Sequence, residues 1–204
     1  MATKFLRTNL KDLIEECGED RVKSMLANFS CERNKDVEYF LRQKAIEFAK
    51  QGLSETQLVY CYDENEKLRL VGYYTLAQKT ITVNKGALSN SLRSKIRRFA
   101  NYDFDAKKYT LPVILIGQLG KNYADGNNKY ITGDELIQLA FDSIETVQRI
   151  IGGKAIYLES EEKEYLLSFY TSKSFVQFGK RKLDGDETNL DGKYLIQWIK
   201  YMER

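Results

Sequence analysis

The absence of histidine limits the chemistry open to this chain of 204 residues. Without an imidazole, Ser-His-Asp and Cys-His catalysis are excluded, and so are most transition-metal sites. Any acid–base step must use a carboxylate, a tyrosine, a lysine, a cysteine, the N-terminus or water. The three cysteines, Cys17, Cys31 and Cys61, form no C-x-x-C pair. The sequence therefore predicts neither a metal site nor a disulfide framework.

An aromatic cluster, LLSFYTSKSFVQFGK (166–180), contains a tyrosine that could act as an acid. An unperturbed tyrosine, with a pKa of about 10, is protonated at neutral pH and can donate its proton to a leaving group. Tyr170 lies near the start of this cluster. Taken alone, its position is more typical of an aromatic ring packed at a helix end.

A glycine-containing loop precedes a long helical pattern, with GNNKYITG followed by DELIQLA. Such a helix start presents unpaired amides and about half a positive charge, so it can bind an anionic group. The same residues predict a capping box, with Thr132 as N-cap and Glu135 reaching back to the cap amide. Asp134 and Glu135 would also repel a phosphate. The local chemistry supports both interpretations equally.

A basic segment lies between Ser91 and Lys108, although the net charge of the whole chain is only +3. Most such segments are solvated helix faces, and contact with a nucleic acid or an acidic partner is the alternative. Two aspartates, Asp103 and Asp105, oppose the basic residues. The basic residues are Arg93, Lys95, Arg97, Arg98, Lys107 and Lys108.

No apolar stretch reaches transmembrane length, and the N-terminal residues MATKFLRTNLKDL lack the apolar core of a signal peptide. The sequence therefore predicts a cytoplasmic protein with reduced thiols and no membrane contact.

Apolar spacing predicts the elements that position these residues. Three helical patterns predict a helical N-terminal segment over about 1–52. TQLVYCY and LRLVGYYTLAQ then predict a hairpin, and KTITVNK a third strand. A helix capped by Ser89 is expected to continue to about Phe99. The run YTLPVILIGQLG, the most apolar of the chain, is typical of a buried central strand.

The second half of the chain alternates between helical and strand patterns. GDELIQLAFDSIETVQRII predicts a long helix, KAIYLES a strand, EEKEYLLSFYTS a helix, and FVQFGKRKL and KYLIQWIKYM two last strands. A single proline and no Ser/Gly-rich stretch leave no visible linker. We expect one α/β domain over 1–204, with a mixed sheet and helices on both faces.

The order of these elements resembles that of the GNAT N-acetyltransferase family, over roughly residues 35–202. The resemblance implies a GNAT-like, mostly antiparallel central sheet, acetyl-CoA as co-substrate, a primary amine of unknown identity as acceptor, and no metal. The most specific matching segments are LVGYYTLA (70–77), PVILIGQL (112–119), YITGDELIQLAFDSI (130–144) and IYLESEEKEYLLSFYTSKSF (156–175).

The resemblance also implies where acetyl-CoA binds. In the family, the strand matching LIGQL splays from its neighbour and pairs with the pantetheine arm, which implicates Gln118 and Leu119. The following loop and helix start would hold the pyrophosphate through backbone amides. The residues at this loop and helix start are Lys129, Tyr130, Ile131, Thr132 and Gly133.

Two residues are catalytic candidates, Tyr170 by resemblance and Glu159 by its place at the end of a strand. Tyr170 matches the tyrosine of the family's FY…GF segment, which protonates the departing CoA thiolate. Glu159, at the end of the strand IYLES, is the candidate general base. A solvated strand-end carboxylate is the alternative for Glu159, and water could accept the proton instead.

Several positions depart from the family's pattern. Asn128 stands where arginine or glutamine begins the phosphate loop, and Ile131 where glycine is usual. A branched side chain restricts how closely a phosphate can approach the backbone. Ser174 replaces the glycine of FY…GF and would strain a turn. These departures support an alternative, a degenerate binding module without transferase activity.

LVGYYTLA and FSCERNKDVEYFLRQKA also resemble the toxin branch of the family. Its members acetylate aminoacyl-tRNA and are silenced by a small DNA-binding antitoxin. This implies tRNA as a partner, bound through the basic segment 91–108, and a small antitoxin-like protein as another. The resemblance thus implies an N-acetyltransferase acting on a primary amine, with the degenerate module and the toxin-type enzyme as alternatives.

Overall fold

The computed structural model describes residues 4–185 and 187–202. The chain divides into two compact units, each built from two stretches of sequence. The first unit comprises Met1–Ala77 and Ile116–Glu145, and the second comprises Gln78–Leu115 and Thr146–Arg204. The prediction of a single domain over 1–204 stays a prediction.

The first unit begins with a strand that the sequence patterns do not predict. β1 (Leu6–Asn9) pairs antiparallel with β2 (Glu55–Tyr62). The prediction that residues 1–52 are all helical is therefore wrong here. A four-residue edge strand is too short to show a period of its own.

The helices that follow confirm the three helical patterns. Asn34 caps the third, because its Oδ1 accepts from the amides of Asp36 (2.9 Å) and Val37 (3.1 Å). Buried side chains from these helices, including Leu10, Leu26 and Leu41, form one core with residues of the sheet. The helical elements are α1 (Leu10–Cys17), α2 (Glu19–Leu26), α3 (Lys35–Tyr39), a π-helical turn (Phe40–Lys44) and α4 (Ala45–Lys50).

A single strand of 17 residues, β3 (Leu68–Asn84), replaces the two strands predicted there. The prediction of KTITVNK as a separate strand is wrong, because no glycine or proline interrupts the chain between Gln78 and Lys79. The first half of β3 pairs antiparallel with β2 in the first unit.

The predicted central strand is β5 (Lys108–Lys121), whose Val113, Ile114 and Ile116 are buried. One edge of β5 is hydrogen-bonded to β3. The other edge pairs in parallel with β6 (Ala155–Ser160) at only two positions, Ile114 opposite Ile156 and Leu115 opposite Tyr157. In the part of the chain that the structure describes, no strand ladder continues on this edge beyond Leu115.

The second unit contains the basic segment. Ser89 caps α5 (Asn90–Ile96), because its Oγ accepts from the Leu92 amide at 3.2 Å. The helix ends at Ile96 rather than near Phe99. The next residues form β4 (Asn101–Asp103), a short strand that the sequence patterns do not predict and that pairs antiparallel with β5.

The remaining elements match the predicted order, and the last strand is inserted between two earlier ones. β8 pairs antiparallel with both β6 and β7. The order along the sheet is β1-β2-β3-β5-β6-β8-β7, with β4 on β5. This mixed, mostly antiparallel sheet confirms the predicted α/β class. The elements not yet given are α6 (Gly133–Ile151), α7 (Glu164–Ser172), β7 (Val176–Lys182) and β8 (Tyr194–Tyr201).

Among the described residues, the helices are too short or too polar to cross a lipid bilayer.

Candidate active site

The start of α6 forms the predicted capping box. Thr132 Oγ1 accepts from the Glu135 amide at 3.1 Å, and Glu135 Oε2 accepts from the Thr132 amide at 2.8 Å. The box satisfies two of the amides at this helix start. Within the described residues, the amides of Ile131 and Gly133 meet no acceptor. Those two amides are available to an anionic group.

Glu135, one of the two acidic side chains at this helix start, forms an ion pair with a lysine. Lys4 Nζ donates to Glu135 Oε1 at 2.6 Å. Burial alone would raise the pKa of the Glu135 carboxyl, but the hydrogen bonds from Lys4 and Thr132 outweigh it, so the pKa is lowered. Its negative charge is therefore partly neutralised by an adjacent ammonium.

Lys121, which belongs to none of the sequence motifs, holds the loop before α6. Its Nζ donates to the carbonyls of Asn128 (2.9 Å) and Ile131 (3.0 Å). Burial lowers the pKa of Lys121, and the charge of Arg33 lowers it further. Both cations lie 5.9 Å from the ring of Tyr123. They supply positive charge that the loop itself lacks at Asn128.

The signal that could have identified Lys121 is its position, since it is the last residue of a buried strand and precedes a glycine-containing loop. Arg33 carried no local signal, because it lies far away in sequence.

The two residues predicted to contact pantetheine lie on the stretch of β5 beyond its ladder with β6. Gln118 and Leu119 are half-buried. Gln118 Nε2 donates to Asp36 Oδ2 at 2.9 Å, so its side chain is anchored to α3. The backbone on this edge can pair with an extended ligand that carries amide groups, as an added strand does.

Tyr170 is a buried residue of α7, only 9% exposed. Its ring packs against Phe169 (5.3 Å), Phe175 (5.8 Å) and Trp198 (5.8 Å). No described residue forms a hydrogen bond with its hydroxyl, although buried tyrosines usually have such a partner. Burial raises the pKa of Tyr170 to about 12. The hydroxyl is therefore protonated and free to donate.

The turn after α7 places a serine in a backbone conformation that glycine favours. Ser174 has a φ of 63°, in the left-handed region that glycine favours. The Phe175 amide donates to the Tyr170 carbonyl at 3.1 Å and closes the turn. The predicted strain at Ser174 is confirmed.

Glu159 is a paired carboxylate rather than a solvated one. Arg181 donates to it from Nε (3.0 Å) and Nη2 (2.9 Å), and the Tyr157 hydroxyl donates to Oε1. Burial alone would raise the pKa of Glu159, but the hydrogen bonds from Arg181 and Tyr157 outweigh it, so the pKa is lowered. The same Arg181 also donates to Glu187 Oε1 at 2.7 Å. The general-base role of Glu159 stays a prediction.

The predicted cofactor-binding residues all belong to the first unit, and the two catalytic candidates belong to the second. Within residues 4–185 and 187–202, no group of three or more cysteine and acidic side chains is placed to hold a metal ion.

No family model matches this sequence, and the comparison with curated proteins also finds no match. Solved structures do match over nearly the whole chain. AtaT complexed with acetyl-methionyl-tRNAfMet is 17% identical, with a TM-score of 0.60 over 94% of this chain and 93% of AtaT. A tyrosine-to-phenylalanine mutant of KacT is 16% identical, with a TM-score of 0.62 over 97% of this chain and 95% of KacT.

A third match is a tyrosine-to-phenylalanine mutant of the AtaT toxin, bound to the C-terminus of the antitoxin AtaR and acetyl-CoA. It is 15% identical, with a TM-score of 0.58 over 98% of this chain and 94% of that chain. At these identities the similarity establishes the fold. The chain has the GNAT-like α/β fold of these toxin structures, as the sequence predicts.

Proposed function

We propose that this chain is an acetyl-CoA-dependent N-acetyltransferase that acts on a primary amine. A shared fold does not determine function, so the proposal depends on the site. The observation that carries it is Tyr170, a buried and protonated tyrosine whose hydroxyl has no partner among the described residues. It lies in the FY segment, the position of the family's acid.

Acetyl transfer requires chemistry that this chain can supply without a metal or histidine. As the amine nitrogen bonds to the acetyl carbon, the carbon–sulfur bond breaks and the sulfur leaves with its electron pair. Tyr170 donates its hydroxyl proton to that sulfur, and the amine loses a proton to Glu159 or water. The raised pKa of Tyr170 keeps the donor protonated throughout the neutral range.

The first unit contains groups that fit acetyl-CoA. The backbone of β5 at Gln118 and Leu119 would pair with the amides of pantetheine. The amides of Ile131 and Gly133 at the start of α6 would donate to phosphate oxygens, since a helix start favours anions. Lys129, two residues before Ile131, is exposed. Bound acetyl-CoA supplies the activated acyl group, and these residues supply its position.

A second candidate is a toxin-type enzyme whose amine belongs to aminoacyl-tRNA. The observation that favours it is the match to AtaT in complex with acetyl-methionyl-tRNAfMet. The exposed basic side chains Arg97, Arg98, Lys107 and Lys108 support contact with RNA phosphates. A small antitoxin-like protein is the corresponding partner, because AtaT is also seen with AtaR.

The test is the turnover of Tyr170→Phe with acetyl-CoA and a panel of amines, including aminoacyl-tRNA. The ring packing is kept and only the hydroxyl is lost, so kcat should fall by about tenfold or more while KM for acetyl-CoA changes little. Tyr165→Phe, at an exposed tyrosine of the same helix, is the matched control and should retain full kcat. An unchanged kcat in Tyr170→Phe would return Tyr170 to a packing role.

A further inference from the structure

An exposed aromatic side chain lies at the tip of the hairpin formed by β4 and β5. Phe104 is 81% exposed. Asp103 Oδ1 accepts from the amides of Asp105 (2.9 Å) and Ala106 (2.8 Å), so the turn that carries Phe104 is held in place. The ring of Phe104 meets Tyr102 edge-on, with the ring centres 4.9 Å apart. The hairpin therefore presents an ordered aromatic face to solvent.

Cationic side chains surround this aromatic face. Lys85 Nζ lies 5.5 Å from the Tyr102 ring centre, and the Lys85 amide donates to the Lys107 carbonyl at 3.0 Å. Lys107 and Lys108 are exposed on the same hairpin. We call Lys85, Tyr102, Phe104, Lys107 and Lys108 the hairpin patch. Two more exposed cations, at positions 97 and 98, lie just before β4.

Two other cations of the basic segment have partners outside the hairpin patch. Arg93 is bonded to Asn90, and Lys95 lies 5.4 Å from the Tyr201 ring. The three lysines of the hairpin patch have no carboxylate partner in the part of the chain that the structure describes, and Lys85 lies against the Tyr102 ring of the same patch. Their charge is available to an anionic ligand.

A small aromatic face with free cations fits a nucleic acid better than a protein. Across residues 78–115, Phe104 is the one large apolar side chain that is exposed. A stable protein interface buries on the order of 800 Å² on each side around an apolar core. Single-stranded nucleic acids need only a stacking ring and lysines along the backbone.

We propose that the hairpin patch binds an unpaired stretch of RNA, with a base stacked on Phe104 and phosphates contacting Lys85, Lys107 and Lys108. The choice of RNA over DNA rests on the second candidate for the proposed function, in which the acceptor amine belongs to aminoacyl-tRNA. Stacking tolerates any base. The patch therefore selects an RNA end or loop because the RNA there is unpaired and flexible, and not because of its base sequence.

The test is fluorescence anisotropy with a labelled single-stranded RNA of mixed sequence, over a series of salt concentrations. Phe104→Ala should weaken binding by roughly tenfold, because base–aromatic stacking is lost, and leave the salt dependence unchanged. The double variant Lys107→Gln, Lys108→Gln should flatten the slope of log K against log salt by about 0.7 for each lost phosphate contact. Phe104→Trp should retain the parent affinity. Ile150→Ala, at another exposed apolar residue of this unit, should also retain it.

Four results would overturn the proposal: parent affinity in Phe104→Ala, equal binding of a blunt RNA duplex, equal binding of single-stranded DNA, or a change of oligomeric state in Phe104→Ala during sedimentation. Failure here is distinguishable from failure of the proposed function. The thermal shift caused by acetyl-CoA involves other residues, so Phe104→Ala should keep it whatever its affinity for RNA.

Discussion

At Tyr170, the burial that keeps the hydroxyl protonated also makes stability depend on pH. The folded pKa is about 12, and the unfolded value is about 10. Because the folded value is raised, the stabilisation is complete below about pH 10 and is lost as the pH rises towards 12. The pKa difference corresponds to about 3 kcal/mol.

Urea unfolding at rising pH checks this prediction. The parent should lose stability in that window, and Tyr170→Phe should lose about 3 kcal/mol less, since it has no hydroxyl to ionise. The exposed control Tyr165→Phe should follow the parent. Parallel curves for the parent and Tyr170→Phe would contradict the burial of the hydroxyl.

Glu159 and Glu187 share one arginine, which makes Glu187 the matched control for the proposed base. Each carboxylate accepts from Arg181. If Glu159 also accepts the proton of the amine, Glu159→Gln should lower kcat by about a hundredfold, whereas Glu187→Gln should change it little. Steady-state kinetics at neutral pH measures both. An equal fall in the two variants would assign Glu159 only to holding Arg181.

At the scale of elements, the end of α7 stores strain that glycine would release. Ser174 has a φ of 63°, a conformation that costs an L-residue about 1–2 kcal/mol. Ser174→Gly should raise the free energy of unfolding by about 1 kcal/mol, after the greater chain entropy of glycine is counted. Ser172→Gly, in the helical last turn, should lower it instead, because the bond from Ser172 Oγ to the Phe169 carbonyl (2.7 Å) is lost. Thermal unfolding of both variants measures these changes in stability. Destabilisation by Ser174→Gly would contradict the strain at this position.

The packing of α3 on β5 depends on a residue without a side chain. A Cβ added to Gly120 would lie 2.3 Å from Val37 Cγ1. Gly120→Ala should therefore cost about 1–3 kcal/mol through overpacking. Gly86→Ala, where nothing lies within 4 Å of the added atom, should stay within about 0.5 kcal/mol of the parent.

A double variant tests the mechanism of that loss. Val37→Ala removes the clashing methyl, so in a double-mutant cycle it should recover part of the stability lost in Gly120→Ala. Strictly additive losses, measured by urea unfolding, would show that Gly120 is required for another reason.

Elements with a clear period were predictable, and elements without one were not. α6 was predicted to the residue because its apolar face repeats over 19 positions. β1 and β4 have only four and three residues, too few to repeat anything. The sequence of β3 predicts two strands, because its solvent-facing polar residues resemble a break when no partner strand is known.

The residues of the candidate site also differ in whether the sequence predicts them. Tyr170 and the capping box at Thr132 were predicted because each lies in a local motif. The ion pair of Glu159 with Arg181, and the contacts of Lys121 with the loop before α6, join residues on separate elements. Such contacts form only in the tertiary fold. No local sequence pattern at one partner identifies the other.

For the whole molecule, acetyl-CoA should raise the melting temperature, because a ligand that binds only the folded state stabilises it by mass action. At a hundredfold excess over Kd the gain is about 2.7 kcal/mol. Scanning calorimetry measures it, and Tyr170→Phe should show nearly the same shift. No shift with either acetyl-CoA or CoA at millimolar concentration would favour the degenerate binding module.

The place of β8 in the sheet has a consequence for the order in which the protein matures during translation. β8 lies between β6 and β7 but is synthesised after both. While the ribosome is still making residues 183–193, these two strands have no partner between them, and Tyr170 lacks its neighbour Trp198. Nascent chains fold as their segments emerge. The first unit, complete by Glu145, can fold earlier, whereas the surroundings of the proposed acid form only once β8 has left the exit tunnel.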